Sequence, residues 1–398
     1  MRDRGFLPFS RPSIGPEEIE EVIDTLKSGW ITTGLKARRF EEAFRAYVGC
    51  KHAVALASAT GGLHIGLMAM GIGPGDEVIT SPMTFAATVN QIVLLGALPV
   101  LVDVEPETLM MDTRRLEERI TDRTALILPV HFAGAPADMD AVLEVAEKHN
   151  VKVLEDAAHG LGTRYKGRHI GAIGDGGVFS FHPIKNITTA EGGMFVTDDD
   201  DLAEKVRILK FHGLGGEAWQ RYRRSGVSHY DVLMPGYKYN MTDLQASLGI
   251  HQLAKLDTFN QRRRELAALY DRLLASVEVV DLPGRPSYDH RHGWHLYVVR
   301  LRTERLTIDR DRFMEELKAR NIGTGFHFKA VHLHDYYKRT LGYGRGSFPV
   351  AEDASERIMS LPLFPDMTEE DVRDVVSAIQ DVVRTYGRRD RPGAPGGP

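Results

Sequence analysis

The segment TALILPVHFAGAPADMDAVLEVAEKHNVKVLEDAAH (residues 124–159) decides the fold. TALILPVHF (124–132) reads as an apolar strand, DMDAVLEVAEKHN (138–150) as a helix, and VKVLEDAAH (151–159) as a second strand. A strand, a helix and a strand in that order make a crossover unit that pairs its two strands in parallel. The alternation continues on both sides. Upstream lie strand HAVALAS (52–58), helix GGLHIGLMAMG (61–71), strand DEVITSP (76–82), helix TFAATVNQIVLLG (84–96) and strand LPVLVDV (98–104); downstream lie strands GVFSFHP (177–183) and GGMFVTD (192–198). Such an order predicts an α/β fold whose mainly parallel sheet is covered by helices on both faces.

Two further parts flank this core. PEEIEEVIDTLKSG (16–29) predicts a helix with Pro16 in its first turn and Ile19, Val22, Ile23 and Leu26 on one face. From Thr242 a long stretch with helical apolar spacing leads into a second, smaller α/β unit. That unit comprises strand WHLYVVRL (294–301), helix DRDRFMEELKARN (309–321), the strand-like GTGFHF (323–328) and a last helix TEEDVRDVVSAIQDVVRTY (368–386). The expected division is a large domain over 1–250 with an N-terminal arm, a small domain over 251–386, and a disordered Pro/Gly-rich tail over 387–398.

Composition excludes several classes. The 398 residues are 42% hydrophobic and 26% charged, with a net charge of −5 and no concentrated basic patch, which argues against a nucleic-acid-binding role. Cys50 is the only cysteine, so no intrachain disulfide and no cysteine-based zinc site can form. No apolar run is long enough to span a bilayer and no signal-peptide core is evident; a cytoplasmic location is expected. His327, His332 and His334 lack the spacing of a zinc signature, and no metal is expected.

Open sheets of this kind bind ligands at the carboxyl ends of their strands, which selects three places. In ASATGG (57–62), Ser58 and Thr60 stand where a helix begins, a site for a phosphate, although either hydroxyl could simply cap the helix. Asp156 ends an apolar strand and His159 follows it; the acid could meet a ribose, a metal or a protonated ring nitrogen, or cap a helix. In FSFHPIKNITTAEGG (179–193), Ser180 and Lys185 flank a turn, and the apolar neighbours of Lys185 would desolvate its amine. Desolvation lowers a lysine's pKa and frees the neutral amine as a nucleophile able to form a Schiff base. A phosphate site, an acid for a pyridinium and a desolvated lysine are together what pyridoxal phosphate (PLP) requires. Phe85, which follows strand DEVITSP, could lie over its ring or pack in the core. GLGGEA (213–218) resembles a dinucleotide fingerprint, but with no strand–helix unit around it a loop is the better reading.

EDAAH, FSFHPIKNITTAEGG, PGYKYNMTDLQAS and SLPLFPDMT resemble the PLP-dependent sugar aminotransferases of the DegT/DnrJ/EryC1/StrS family, and the likeness extends over the chain up to Tyr386. It implies an aspartate-aminotransferase-like fold (fold type I). It also implies Lys185 as catalytic and cofactor-linking lysine, Asp156 on the pyridine nitrogen, His159 near the ring and Phe85 stacked on it. Thr60, Gly61 and Ser180 would hold the phosphate. Asn240 would reach the phosphate of the other subunit, which implies a homodimer with shared active sites. SGWITTG (28–34) and NIGTGFHFKAVH (321–332) are most similar to UDP-4-amino-4-deoxy-L-arabinose–oxoglutarate aminotransferases of lipid A modification. The implied reaction moves an amino group from glutamate to the 4-keto group of UDP-4-keto-L-arabinose, with Trp30, Thr32, His327 and His332 handling sugar and donor. Alternatives are a dTDP- or UDP-4-keto-6-deoxyhexose, or a 3-keto sugar, in O-antigen or antibiotic-sugar synthesis, and a PLP-binding regulator without catalysis.

Overall fold

The computed structural model describes residues 2, 4–215 and 231–388. Two helices open the chain, α1 (Pro16–Ser28) and α2 (Leu35–Val48). The large domain then alternates β1 (His52–Leu56), α3 (Ala59–Ala69), β2 (Glu77–Thr80), α4 (Ala86–Leu94), β3 (Leu98–Leu101), β4 (Thr124–Leu128), α5 (Met139–His149) and β5 (Lys152–Asp156). A short hairpin of β6 (Arg164–Tyr165) and β7 (Arg168–His169) precedes β8 (Gly176–Ser180), β9 (Gly193–Thr197) and α6 (Asp200–Leu209). Seven strands form one sheet in the order β1-β9-β8-β5-β4-β2-β3. The run from β8 to β3 is parallel throughout, while β9 lies antiparallel to both β1 and β8. This is the mixed, mainly parallel sheet expected from the sequence.

Small residues let α3 lie close on that sheet. A Cβ at Gly62 would come 2.8 Å from Val178 Cγ1 and 3.1 Å from Leu56 Cδ1, and one at Gly66 would come 2.8 Å from the Phe195 ring. On the other face, α2 brings Phe40 and Phe44 edge-on against Phe179 and Phe181, with ring centroids 5.2 to 5.6 Å apart. All four rings are fully buried, each worth about 1.5–3 kcal/mol of transfer free energy.

Helix α7 (Asp243–Leu274) runs without a break across residue 250, so it is shared between the two expected domains. Its 32 residues make a rod about 48 Å long. Beyond it lie β10 (Val280–Asp281), β11 (His290–Arg291), β12 (Tyr297–Leu301), α8 (Arg310–Ala319), α9 (Asp335–Thr340), α10 (Pro349–Arg357), β13 (Ile358–Leu361) and α11 (Glu369–Tyr386). Strands β10, β12 and β13 form an antiparallel sheet whose core joins Tyr270 of α7, Phe313 of α8 and Ile379 of α11. β11 instead pairs with β6 of the large domain. Leu7 bridges Ile322 and packs in this second core, so the N-terminal arm crosses to the small domain.

Several expectations change. GTGFHF is not a strand: Gly325 forms a single bridge to Ser360, and the strand in this region is β13. The apolar face read in α1 points outward. Ile19, Ile23 and Leu26 are 53, 43 and 55% exposed, while Glu18 and Thr25 are buried against the chain. The reason is local: Glu18 takes the Gly15 amide and pairs with Lys255 of α7. At the C-terminus, Gly387 bridges Leu306 and the Arg388 amide donates to the Arg305 carbonyl, so order extends past Tyr386. The rest of the expected tail, 389–398, lies outside the described residues, as do residues 216–218 of GLGGEA; Leu214 of that stretch bridges Val232. Among the described residues, no helix is long and apolar enough to cross a membrane.

Candidate active site

Asp156 is the last residue of β5, at the carboxyl edge where parallel sheets bind ligands. It is buried at 5% exposure and its orientation is fixed. Thr88 Oγ1 donates to Oδ2 at 2.7 Å, and the Ala158 amide donates to Oδ1 at 3.1 Å. Thr88 in turn shares a 2.8 Å hydrogen bond with Thr84. A chain of two hydroxyls, Thr88 of α4 and Thr84 just before it, thus holds the carboxylate. Its neighbour Glu155 faces the other way and is fully buried. It accepts the amides of Gly171, Ile173 and Gly174 and pairs with His131 at 2.9 Å. Burial raises the Glu155 pKa, but His131 and the amides outweigh it and the net shift is downward. The pair ties β5 to the loop that enters β8.

Lys185 closes a turn, its amide donating to the His182 carbonyl, in the loop that follows Ser180, the end of β8. It is half-buried, and no hydrogen bond or ion pair to the described residues restrains its Nζ. Desolvation lowers its pKa to about 8, with Asp156 pulling the other way. The lysine loop is tied down from behind. Asn186 Nδ2 donates to Asn260 Oδ1 at 2.6 Å and to the Gly293 carbonyl at 2.7 Å; the Thr188 amide donates to Gln252 Oε1 at 3.3 Å. Both acceptors on the far side, Asn260 and Gln252, belong to α7.

Imidazoles surround this lysine. His159 lies 5.6 Å from Phe328, nearly parallel to it, and 4.4 Å from His295 between ring centroids. Burial keeps His159 and His295 far below the usual histidine pKa, and the Lys185 charge adds to this. His327 falls to about 4 for the same reasons, and its Nδ1 meets Ser360 Oγ at 2.8 Å. All three are neutral at pH 7. His159 Nδ1 and both ring nitrogens of His295 are buried without a partner. Orphaned buried polar atoms are rare in native proteins and mark places where a ligand or water completes the site.

The expected phosphate site is a helix start. Ser58 caps α3, its hydroxyl accepting the Gly61 amide at 3.0 Å. The cap therefore takes the Gly61 amide, and Gly61 serves sterically: a Cβ there would come 3.1 Å from the Tyr239 ring. Thr60 is exposed in the first turn, where helix amides lack internal partners and favour an anion. Ser180 is half-buried and is the last residue of β8, at the carboxyl end of that strand. Phe85 sits at the N-cap of α4, 62% exposed, with Phe328 6.0 Å away. A cofactor with a phosphate, a basic ring nitrogen and an aldehyde fits this set: anion site, fixed carboxylate, free amine and orphaned imidazoles.

The remaining candidates divide. Asn240 Nδ2 donates to Thr33 Oγ1 at 2.5 Å within the chain, beside Trp30, whose Nε1 donates to the Thr33 carbonyl at 3.1 Å. Thr32 is exposed and its carbonyl accepts the Asp243 amide. His332 is fully buried, its Nε2 on Glu352 at 3.0 Å, its ring edge-on to Phe348 and its Nδ1 without a partner. Sequence reading passed over Thr88, His295, Asn260 and Phe328. Thr88 stood inside a helix already read as apolar, and His295 inside a strand; only the fold brings them to Asp156 and Lys185.

The chain resembles known proteins along nearly its whole length. The model of the DegT/DnrJ/EryC1/StrS aminotransferase family matches residues 12–380. Protein MJ1066 of Methanocaldococcus jannaschii is 51% identical over 383 residues, 96% of this chain and 99% of that protein. Among solved structures, Spr1654 of Streptococcus pneumoniae in its PMP form superposes with a TM-score of 0.88 at 34% identity, covering 95% of this chain and 99% of that one. Helicobacter pylori PseC, an aminotransferase involved in pseudoaminic acid biosynthesis, gives 0.88 at 28% identity, covering 96 and 100%. This chain belongs to the DegT/DnrJ/EryC1/StrS aminotransferase family.

Proposed function

We propose that the protein is a PLP-dependent aminotransferase that moves an amino group from glutamate to the 4-keto carbon of a nucleotide-linked sugar, with UDP-4-keto-L-arabinose the first candidate. The observation that carries the reaction is the pairing of a desolvated, unrestrained Lys185 with the fixed carboxylate of Asp156. Bound PLP supplies an electron sink for the amino acid's Cα–H bond. Asp156 would keep the ring nitrogen protonated. Thr60, the first turn of α3 and Ser180 would hold the phosphate, with Phe85 and His159 against the ring. Lys185 would tether the cofactor and, once released, carry a proton away from the amino acid carbon and return it on the sugar side. A pKa near 8 suits a group that must both accept and give a proton near neutrality.

The sugar assignment draws on the resemblance of SGWITTG and NIGTGFHFKAVH. A 4-keto-6-deoxyhexose acceptor is the second reading, drawn from the same family resemblance. The active unit is proposed as a homodimer in which Asn240 of one subunit completes the phosphate site of the other. Ile19, Ile23 and Leu26, one helical face exposed in the single chain, with exposed Ile31 and Leu35 beside it in sequence, are the surface a second copy would cover. The test is a two-step absorbance experiment on the PLP-loaded protein. Glutamate should convert the spectrum to the pyridoxamine form, and UDP-4-keto-pentose should restore it. Conversion without restoration rejects the pentose and directs the assay to keto-hexoses; no conversion with any amino donor rejects the aminotransferase reading.

A further inference from the structure

His295 reaches the site from the small domain through a strained turn. Trp294, just before it, has φ 47°, in the left-handed region that bulky residues adopt only when their surroundings force it. The constraint comes from several sides. The Gly293 amide donates to the Gly134 carbonyl at 2.8 Å, and the Leu296 amide to the Ala133 carbonyl at 3.1 Å. The Trp294 amide donates to His292 Nδ1 at 2.8 Å, and the two rings stack with centroids 4.0 Å apart. From α7, Arg263 Nη1 donates to the carbonyls of Trp294 and His295 at 3.4 and 3.3 Å. Gly134 permits the close approach: a Cβ there would come 2.8 Å from the His295 amide nitrogen and 3.2 Å from the His159 carbonyl oxygen. Backbone strain held this firmly clusters at functional sites. Here it lays the His295 ring against that of His159, with centroids 4.4 Å apart.

The nitrogens of this pair are out of place as packing. His295 is 2% exposed, and both its ring nitrogens are buried with no partner among the described residues. His159 is 7% exposed; its Nδ1 is closed off in the same way, and its Nε2 is not. A phenyl ring would fill such a space without stranding polar atoms. Both rings are neutral, since burial opposes their protonation and the Lys185 charge adds to this, with Arg263 also acting on His295. A neutral imidazole carries one N–H and one bare lone pair. Only one arrangement strands no buried donor. If His295 gives its N–H to His159 Nδ1, the nitrogen left over on His295 is a lone pair. The reverse shuts in an N–H of His295 without an acceptor, and buried donors are orphaned more rarely than buried acceptors.

We propose that His295 is a positioning residue: it donates its ring N–H to Nδ1 of His159, directly or across one bound water, and so fixes His159 in the tautomer that carries its hydrogen on Nε2. The open nitrogen of His159 is then a donor, held in one orientation and suited to an oxygen of the bound cofactor. The use of that donor on PLP rests on the aminotransferase reading; the tautomer itself does not. Because His295 belongs to the small domain and His159 to the large one, the pair also makes the donor depend on how the turn at Trp294 is seated.

The experiment reads the tautomers first, in the full-length apoprotein, from the NMR signals of isotope-labelled imidazole nitrogens. His159 and His295 are assigned by the signals lost in His159→Phe and His295→Phe. His159 should carry its hydrogen on Nε2 and show Nδ1 as a hydrogen-bonded acceptor. In His295→Phe, which keeps a ring and removes its nitrogens, the Nδ1 signal should move to that of a bare acceptor. PLP affinity is measured next. His295→Phe should weaken it about fivefold, the contribution of one hydrogen bond. One of His295→Asn and His295→Gln, which return an amide N–H, should recover most of that loss. Since His295 acts through His159, both phenylalanine substitutions together should cost no more than His159→Phe alone. A hydrogen on His159 Nδ1 in the wild type, an Nδ1 signal indifferent to His295→Phe, additive losses, or equal losses in the Phe, Asn and Gln variants would each overturn the proposal and leave His295 as packing. If His295→Phe does not fold, the wild-type tautomer and the two amide variants decide. The expected tautomer in an apoprotein that captures no PLP supports the imidazole pair and rejects the aminotransferase reading, so the two failures give different results.

Discussion

A lysine amine loses its charge near pH 8 when burial outweighs the attraction of a nearby acid, and Lys185 is balanced at that point. In the unfolded chain it would hold its proton to about pH 10.5. Between those values the unfolded state binds the extra proton, so this group's destabilising contribution fades as pH rises from about 8. The same shift predicts chemistry. Capture of added PLP by the apoprotein should accelerate through a midpoint near pH 8, read from the growth of visible absorbance; a midpoint near 10 would show that the amine is not desolvated. Lys185→Ala should lose at least about 10³-fold in amino transfer while its circular dichroism is unchanged. Thr88 acts one step behind. Thr88→Val strands Asp156 Oδ2 and the Thr84 hydroxyl, at a cost of about 1–3 kcal/mol for a buried unsatisfied group. PLP affinity should fall correspondingly, and Thr88→Ser should restore it; equal losses in both variants would point to packing instead of the hydrogen bond.

At the scale of elements, the site is a loop braced by a rod. The Lys185 loop hangs between β8 and β9, and α7 holds it through Asn260 and Gln252. The same helix begins with Asp243, whose carboxylate accepts the amides of Gly34, Lys36 and Ala37 and so fixes the start of α2 and the turn after SGWITTG. Asn260→Leu should therefore act twice. It leaves Asn186 Nδ2 with one partner and the Leu161 carbonyl without one, lowering stability by about 1–3 kcal/mol in denaturant unfolding. It also loosens Lys185, so kcat should drop more than KM rises. Unchanged kcat with lost stability would make the bracing purely structural. These tertiary ties explain what sequence reading could reach. β4, α5, β5, β8 and β9 were legible because apolar period and turn residues both agree with the fold. Asp156 stood out as a candidate because it breaks an apolar pattern at a strand's end, and Lys185 because its loop neighbours are apolar. Residues such as Thr88 and Asn260 sit in helices where their polar groups look like ordinary surface positions, and their partners are 68 to 99 residues away. The contact of His332 with Glu352, 20 residues on, was likewise not legible in the sequence.

For the molecule as a whole, the unanswered surface is the outer face of α1. Helix faces with 3.6-residue apolar spacing ordinarily turn inward, yet here the buried side is Glu18 and Thr25, fastened to α7 by Lys255 and Gln252. Polar anchoring inside leaves Ile19, Ile23 and Leu26 outside, a pattern that a monomer has no use for. The proposed dimer gives it one, and the same N-terminal region leads into Trp30, Thr32 and Thr33, which stand next to Asn240. Subunit contact and active-site completion would then be one event. Ile23→Asp tests this. A charge on a covered apolar face should shift sedimentation from dimer to monomer, and amino transfer should fall with it, while Lys185 still captures PLP, since its own loop, α7 and Asp156 belong to one chain. Asn240→Ala should leave sedimentation unchanged and weaken PLP retention by about tenfold, the loss of one hydrogen bond to a charged phosphate. A fully dimeric Ile23→Asp protein would show that α1 is not the interface. A monomeric one with full turnover would show that each chain carries a complete site, and that Asn240 serves only its own Thr33.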